Sequence, residues 1–295
     1  MLEEDLDLYV QIFYFTDRAG HMLWYNIDNG HPLYEPENAH RFEQAMRDVY
    51  KKMDTIVGEV WEKLDDDTLL MVLSDHGFSS FRRQINYNTW LWQQGLLTLK
   101  GRSQSKTLEQ LFDKDVQAVD VFSGIDWSRT KAWAMGLGSI YINVVGREPQ
   151  GIVMPGEEYD AVVKQIKDGL EGLIDPETGE KPIFRVYHRD EIYTAYDPGK
   201  VPDLRAANIL NYRVSWQDTL GGLSTQVFEN NDRVWSGDHC SLEPSVLQGI
   251  LFLNRKLETN EPRIIDMAPS IMNEVGITPI EPMDGKPVWQ PGVKR

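Results

Sequence analysis

The sequence predicts an α/β protein: a mostly parallel sheet flanked by helices, with an α+β lobe inserted into it. Three observations lead there. Apolar runs of strand length, "DLYVQIFYF" and "TLLMVL" among them, alternate with segments of helical period. The segment between those two runs is long enough for the crossover that parallel strands require. Acids and histidines follow the apolar runs, as at the ligand-binding edge of an open α/β sheet.

Element by element, "DLYVQIFYFTD" (7–17) is rich in Tyr, Val, Ile and Phe and reads as a buried strand. A Gly-, Asn- and Pro-bearing loop follows. From about Glu37 to Leu64, Phe42, Met46, Val49, Met53, Ile56, Val60 and Leu64 recur at threes and fours, the mark of one long amphipathic helix. "DDD" (65–67) ends it, and "TLLMVLSDHGF" gives a second strand. Strand, helix, strand predicts a βαβ unit with Asp17 and Asp75 at one sheet edge. "INYNTWLWQQGLLTL" predicts a short helix and a strand. "DWSRTKAWAMGLGSIYINVVG" predicts two strands joined by a Gly-containing turn. "EEYDAVVKQIKDGLEGLID" (157–175) is a helix with Tyr159, Val162, Val163, Ile166, Leu170 and Leu173 on one face. "PIFRVYHRDEIY", "PDLRAANILNY" and "VLQGILFLNR" carry extended segments. "IIDMAPSIMNEVGI" is a helix with Asp266 capping its start. The sheet domain divides as 1–124 and 216–295, with the lobe at 125–215.

Composition bounds the function. The chain has 295 residues, 41% of them apolar, with nine Trp and twelve Tyr, which is enough for a sizeable core and argues against disorder. A net charge of −16 disfavours nucleic acid and anionic membrane as partners. An anionic substrate would need local positive charge, and bound metal ions are one way to supply it. With Cys240 as the single cysteine, neither an internal disulfide nor a Cys-rich metal site can be built. No apolar run approaches the ~20 residues of a membrane span, and "MLEEDLDLYV" is acidic, unlike a secretory leader. A cytoplasmic protein is the expectation. No repeat or low-complexity stretch is present.

Three short stretches carry chemistry. "DRAGH" holds Asp17 and His21, "SDHG" holds Asp75 and His76, and "SGDH" holds His239. Singly each is ordinary: Asp-x-x-x-His arises by chance, and Asp and Gly make turns. Together they place three of the six histidines beside acids at the ends of apolar runs. Carboxylate oxygen and imidazole nitrogen are the ligand mix of zinc and manganese. Two such ions about 4 Å apart can clamp both oxygens of an in-line displacement at phosphorus. Arg82 and Arg83 could hold a phosphate or carboxylate, as could Arg213 and Arg233 on weaker grounds. The ordinary reading of the Arg82–Arg83 run is a solvated surface pair. Cys240 reads as a small buried residue.

The stretches "FTDRAGHMLWYNID", "LSDHGFSSFRRQINYNTWL", "IDWSRTKAWAMGLGSIYINVVGREPQGIV", "NDRVWSGDHC" and "IIDMAPSIMNEVGI" followed by "MDGKPV" resemble the alkaline phosphatase superfamily. The closest likeness is to its type I phosphodiesterase and nucleotide pyrophosphatase branch, which includes predicted phosphohydrolases and phosphomutases. The resemblance implies a hydrolase of phosphate esters with two divalent ions, zinc or manganese, and a small phosphorylated substrate. Asp17, His21 and His239 would bind one ion, and Asp75 and His76 the other. Asp238 would at most support a ligand from behind. The family also uses a Thr or Ser nucleophile at a helix start and an Asp from the first strand. The expectation is that both belong to a segment upstream of residue 1, supplied by a longer chain, a partner or a second copy. Alternatives are a phosphomutase of the same superfamily and a non-catalytic metal-binding or interaction remnant. A sulfatase needs Cys or Ser followed closely by Pro and Arg, which "CSLEP" lacks.

Overall fold

The computed structural model describes residues 6–101 and 124–292. In chain order these form helices α1 (Phe15–Leu23) and α2 (Pro36–Trp61), strands β1 (Met71–Leu73) and β2 (Ser79–Ile85), and helix α3 (Tyr87–Gln93). Strands β3 (Ala132–Ala134) and β4 (Ser139–Ile142), helix α4 (Glu157–Glu171), strand β5 (Ile183–His188) and helix α5 (Arg189–Ile192) follow. Then come β6 (Leu204–Asn208), β7 (Asn211–Val214), α6 (Trp216–Thr219), β8 (Phe228–Asn230), β9 (Gly237–Asp238), β10 (Leu251–Leu253) and α7 (Met267–Glu274). This is a mixed α/β fold, as the sequence predicts. No helix among the described residues is long and apolar enough to cross a membrane.

The chain divides into two compact units. The smaller comprises 1–19, 43–77 and 248–295, and the larger 20–42 and 78–247.

Two sheets build the larger unit. In the first, β2 pairs with β7 in parallel and with β8 and β9 antiparallel. The second runs in the order β3-β4-β6-β5 and is antiparallel throughout. The predicted parallel character is therefore present in part, at β2–β7. Strand β2 ("SSFRRQI") is central and mostly buried, so its arginines need partners. Arg83 meets Asp175 through Nε at 2.5 Å and Nη2 at 3.0 Å, with Glu177 and Asn230 on Nη1. Helix α4 buries Val162, Ile166 and Leu170 at helical spacing and packs on β5. Its acidic first turn, Glu157, Glu158 and Asp160, suits the positive end of the helix dipole. Ile85, Tyr87, Leu91, Ile140, Ile142, Tyr212 and Val214 join these residues in one core.

In the smaller unit β1 and β10 pair antiparallel, Met71 opposite Leu253. Trp289 is 1% exposed and packs with Met267 and Val288, with Leu69, Met71, Leu251 and Ile271 around them. Asp266 accepts from the backbone N–H groups of Arg263 and Lys286, which ties the start of α7 to a distant segment.

Two expectations are corrected. Residues 7–17 form no strand: 7–13 lie outside regular structure with Leu8, Tyr9, Val10 and Ile12 exposed, and the chain enters α1 at Phe15. Without a neighbouring strand an apolar run has no ladder to join, whatever its composition. Asp17 and His21, one turn apart, instead satisfy a helix, with the acid in the first turn and the histidine in the last. The βαβ unit fails with that strand, and the partner of β1 is the antiparallel β10. The long helix predicted from Glu37 is present as α2, with Met46 buried and Phe42, Val49, Met53, Ile56 and Val60 half-buried.

Candidate metal centre

The centre is built on α1. Asp17 and His21 lie four residues apart, hence on one face of one helix.

Two glycines let the segment before His239 come close to α1. A Cβ on Gly237 would stand 2.5 Å from the Gly20 carbonyl oxygen, and one on Gly20 would stand 2.8 Å from the Phe78 ring. The close approach permits three hydrogen bonds. His21 Nδ1 donates to the Gly237 carbonyl at 2.7 Å. The His21 carbonyl accepts from Ser236 N at 2.6 Å and Ser236 Oγ at 3.2 Å. Trp235 stacks on the His21 ring, centroids 3.7 Å apart and planes at 28°, while Phe78 meets it edge-on at 4.8 Å. His21 is consequently buried, at 3% exposure. With Nδ1 donating, the imidazole lone pair resides on Nε2, the arrangement found in metal-ligating histidines.

His239 follows β9, and its ring centroid is 5.2 Å from that of His21. One ligand atom each from Asp17, His21 and His239 lie within 4.8 Å of one another. Atoms bound at about 2.0–2.2 Å to one ion are at most ~4.4 Å apart. The cluster therefore stands within a small side-chain adjustment of coordination, and one carboxylate with two imidazoles suits zinc or manganese.

Asp238, His239 and Cys240 form a second group of the same compactness, but Asp238 is already committed. Its buried carboxylate pairs with Arg213 Nε at 2.7 Å and accepts from Trp235 Nε1 at 2.8 Å, His239 N at 2.7 Å and Cys240 N at 2.8 Å. Burial pushes this carboxyl up, yet Arg213 and the N–H donors outweigh it and hold it below the ordinary carboxylate range. Cys240 is half-buried, less enclosed than the sequence suggests. Burial, reinforced by the Asp238 charge, pushes its thiol up to about 12, so the free thiol is protonated.

Asp75 and His76 follow β1 in the smaller unit. His76 Nε2 lies 3.6 Å from Asp75 Oδ1, and His76 Nδ1 is 2.8 Å from the Gly77 carbonyl. Arg82 donates to Asp28 through Nε at 2.7 Å and Nη2 at 2.5 Å. Arg83 is buried against Asp175 and is not a solvated surface residue. Arg213 is equally buried, over the faces of Phe81 and Trp216. The sequence reading missed Trp235, Phe78 and the Gly237 carbonyl. The aromatic four residues before His239, in "VWSGDH", is the one local signal that could have flagged them.

The mixed α/β fold carries a carboxylate–imidazole cluster that could hold a divalent ion. Residues 1–232 match the type I phosphodiesterase / nucleotide pyrophosphatase family, and the chain belongs to it, within the alkaline phosphatase superfamily. Its members are hydrolases of phosphate esters and are typically metal-dependent. The match spans Asp17, His21, Asp75 and His76 and ends seven residues before His239. A comparison with curated proteins returned no match.

Proposed function

We propose that this chain is a metal-dependent phosphohydrolase that works on phosphodiesters or nucleotide pyrophosphates at a two-ion centre. Asp17, His21 and His239 are assigned to one ion, and Asp75 and His76 to the other. The observation that carries this reading is the approach of the Asp17, His21 and His239 ligand atoms to within 4.8 Å. Family membership supports the reaction class. The ions, zinc or manganese, supply positive charge to the transferring phosphoryl group.

The chain's own residues do the rest. His21 keeps its Nδ1 proton on the Gly237 carbonyl and offers Nε2. Trp235 and Phe78 keep water from the imidazole. Asp238 fixes the backbone at His239. No described residue is assigned as the nucleophile, for which the family resemblance implies Thr or Ser. The substrate is a small phosphorylated molecule, since a chain of net charge −16 repels extended polyanions.

Elemental analysis after dialysis against trace zinc and manganese tests the reading. Three ligands hold an ion through dialysis better than two, so about one ion per chain is expected. His239→Ala should lose it. Hydrolysis of a chromogenic phosphodiester should require added metal and stop with a chelator. Absence of bound metal, or hydrolysis indifferent to chelation, overturns the reading.

A further inference from the structure

Trp235 touches both halves of the proposed site, and nothing in the motif reading accounts for it. One face of its indole stacks on His21 at 3.7 Å between centroids. Its Nε1–H donates to Asp238 at 2.8 Å, and Asp238 accepts from the N–H of His239 at 2.7 Å. The indole is braced in turn. Trp216 meets it edge-on at 5.9 Å, and Arg213 lies over Trp216 at 4.2 Å while pairing with Asp238 at 2.7 Å. The loop is closed: Arg213, Asp238, Trp235 and Trp216 each contact two others.

We propose that Trp235 is a positioning residue for the metal centre, setting the ring plane of His21 and, through Asp238, the backbone from which His239 projects. The proposal rests on the metal-centre reading above. Its physical basis is that ligands bind tightly when their rotamers are held before the ion arrives. Stacking fixes the imidazole tilt about the axis that the Nδ1 hydrogen bond leaves soft. The indole N–H couples that tilt to the second histidine. One side chain thus holds two ligands 218 residues apart in sequence.

The test uses the full chain and Co2+, whose visible absorption reports coordination geometry. Trp235→Leu should weaken Co2+ binding by about 10–100-fold and alter the band. Trp235→Phe keeps an aromatic face over His21 but has no N–H for Asp238, so its affinity and band should fall between those of the wild type and Trp235→Leu. A purely structural role would lower stability while leaving affinity and band of the folded protein unchanged. If far-UV circular dichroism shows Trp235→Leu unfolded, Trp235→Gln replaces it. That variant keeps an amide donor toward Asp238 and removes only the aromatic face, and the same outcomes decide. Unchanged affinity and band in the folded variant overturn the proposal alone. A wild-type chain that binds no Co2+ overturns the metal-centre reading, and this proposal with it.

Discussion

His21 and His76 are both histidines next to acids, and they are held in opposite ways. His21 is 3% exposed, hydrogen-bonded to a carbonyl 216 residues away and stacked on an indole 214 residues away. His76 has a side chain 25% exposed and lies beside Asp75, whose carboxylate is 77% exposed. A ring enclosed by distant packing keeps its orientation without an ion, whereas a carboxylate as exposed as that of Asp75 has several rotamers open to it. The difference teaches that His21 is held in place ahead of any ion. The Asp75 carboxylate is the more adaptable of the proposed ligands.

The largest expected effect comes from removing the charge behind the pre-organised side. Arg213 and Asp238 are 4% and 2% exposed. Asp238→Asn leaves a buried guanidinium without its counter-charge, which costs roughly 3–5 kcal/mol. Urea unfolding should show that loss, and unchanged stability would mean that the pair does not brace the centre. Next in size, Asp75→Asn should leave the ion retained through dialysis in place but lower phosphodiester hydrolysis at limiting metal. Loss of the retained ion instead would erase the contrast between the two pairs.

A third test sharpens the comparison by removing a response to pH that belongs to the fold and to neither histidine. Asp218 is fully buried and accepts from the N–H groups of Tyr87 and Asn88 at the start of α3, the latter at 3.0 Å. Burial pushes its carboxyl up to about 8 despite those bonds. Between about 4 and 8 the folded chain holds a proton that the unfolded chain has released, so stability falls as pH rises through that window. Asp218→Asn should flatten the dependence in urea midpoints taken from pH 4 to pH 8. A curve as steep as wild type would assign it to other groups.

Much of this was legible in residues 37–64, 157–175 and 237–239, where period and turn chemistry act locally. The first run was not. "DLYVQIFYFTD" has strand composition, yet a strand exists only where a second one pairs with it, and composition does not report that. The Asp17–His21 spacing of four was itself a helical signal. Read as two residues at a strand tip, it put the pair on the wrong element, since both lie on α1. Trp235 and the Gly237 carbonyl were illegible for another reason. Their roles depend on contacts more than two hundred positions away, which leave no pattern in a window of neighbours.

The acceptor for His21 Nδ1 is a main-chain oxygen, and that choice shapes how the site can drift. No codon change at position 237 can delete the atom, so the bond is sheltered from the commonest route by which polar contacts are lost. The same position tolerates almost no added bulk, because any side chain there would begin 2.5 Å from the Gly20 carbonyl. The site has exchanged chemical vulnerability for steric vulnerability. Mutational drift at residue 237 is therefore close to all-or-none: glycine with the histidine aligned, or another residue with the two segments forced apart.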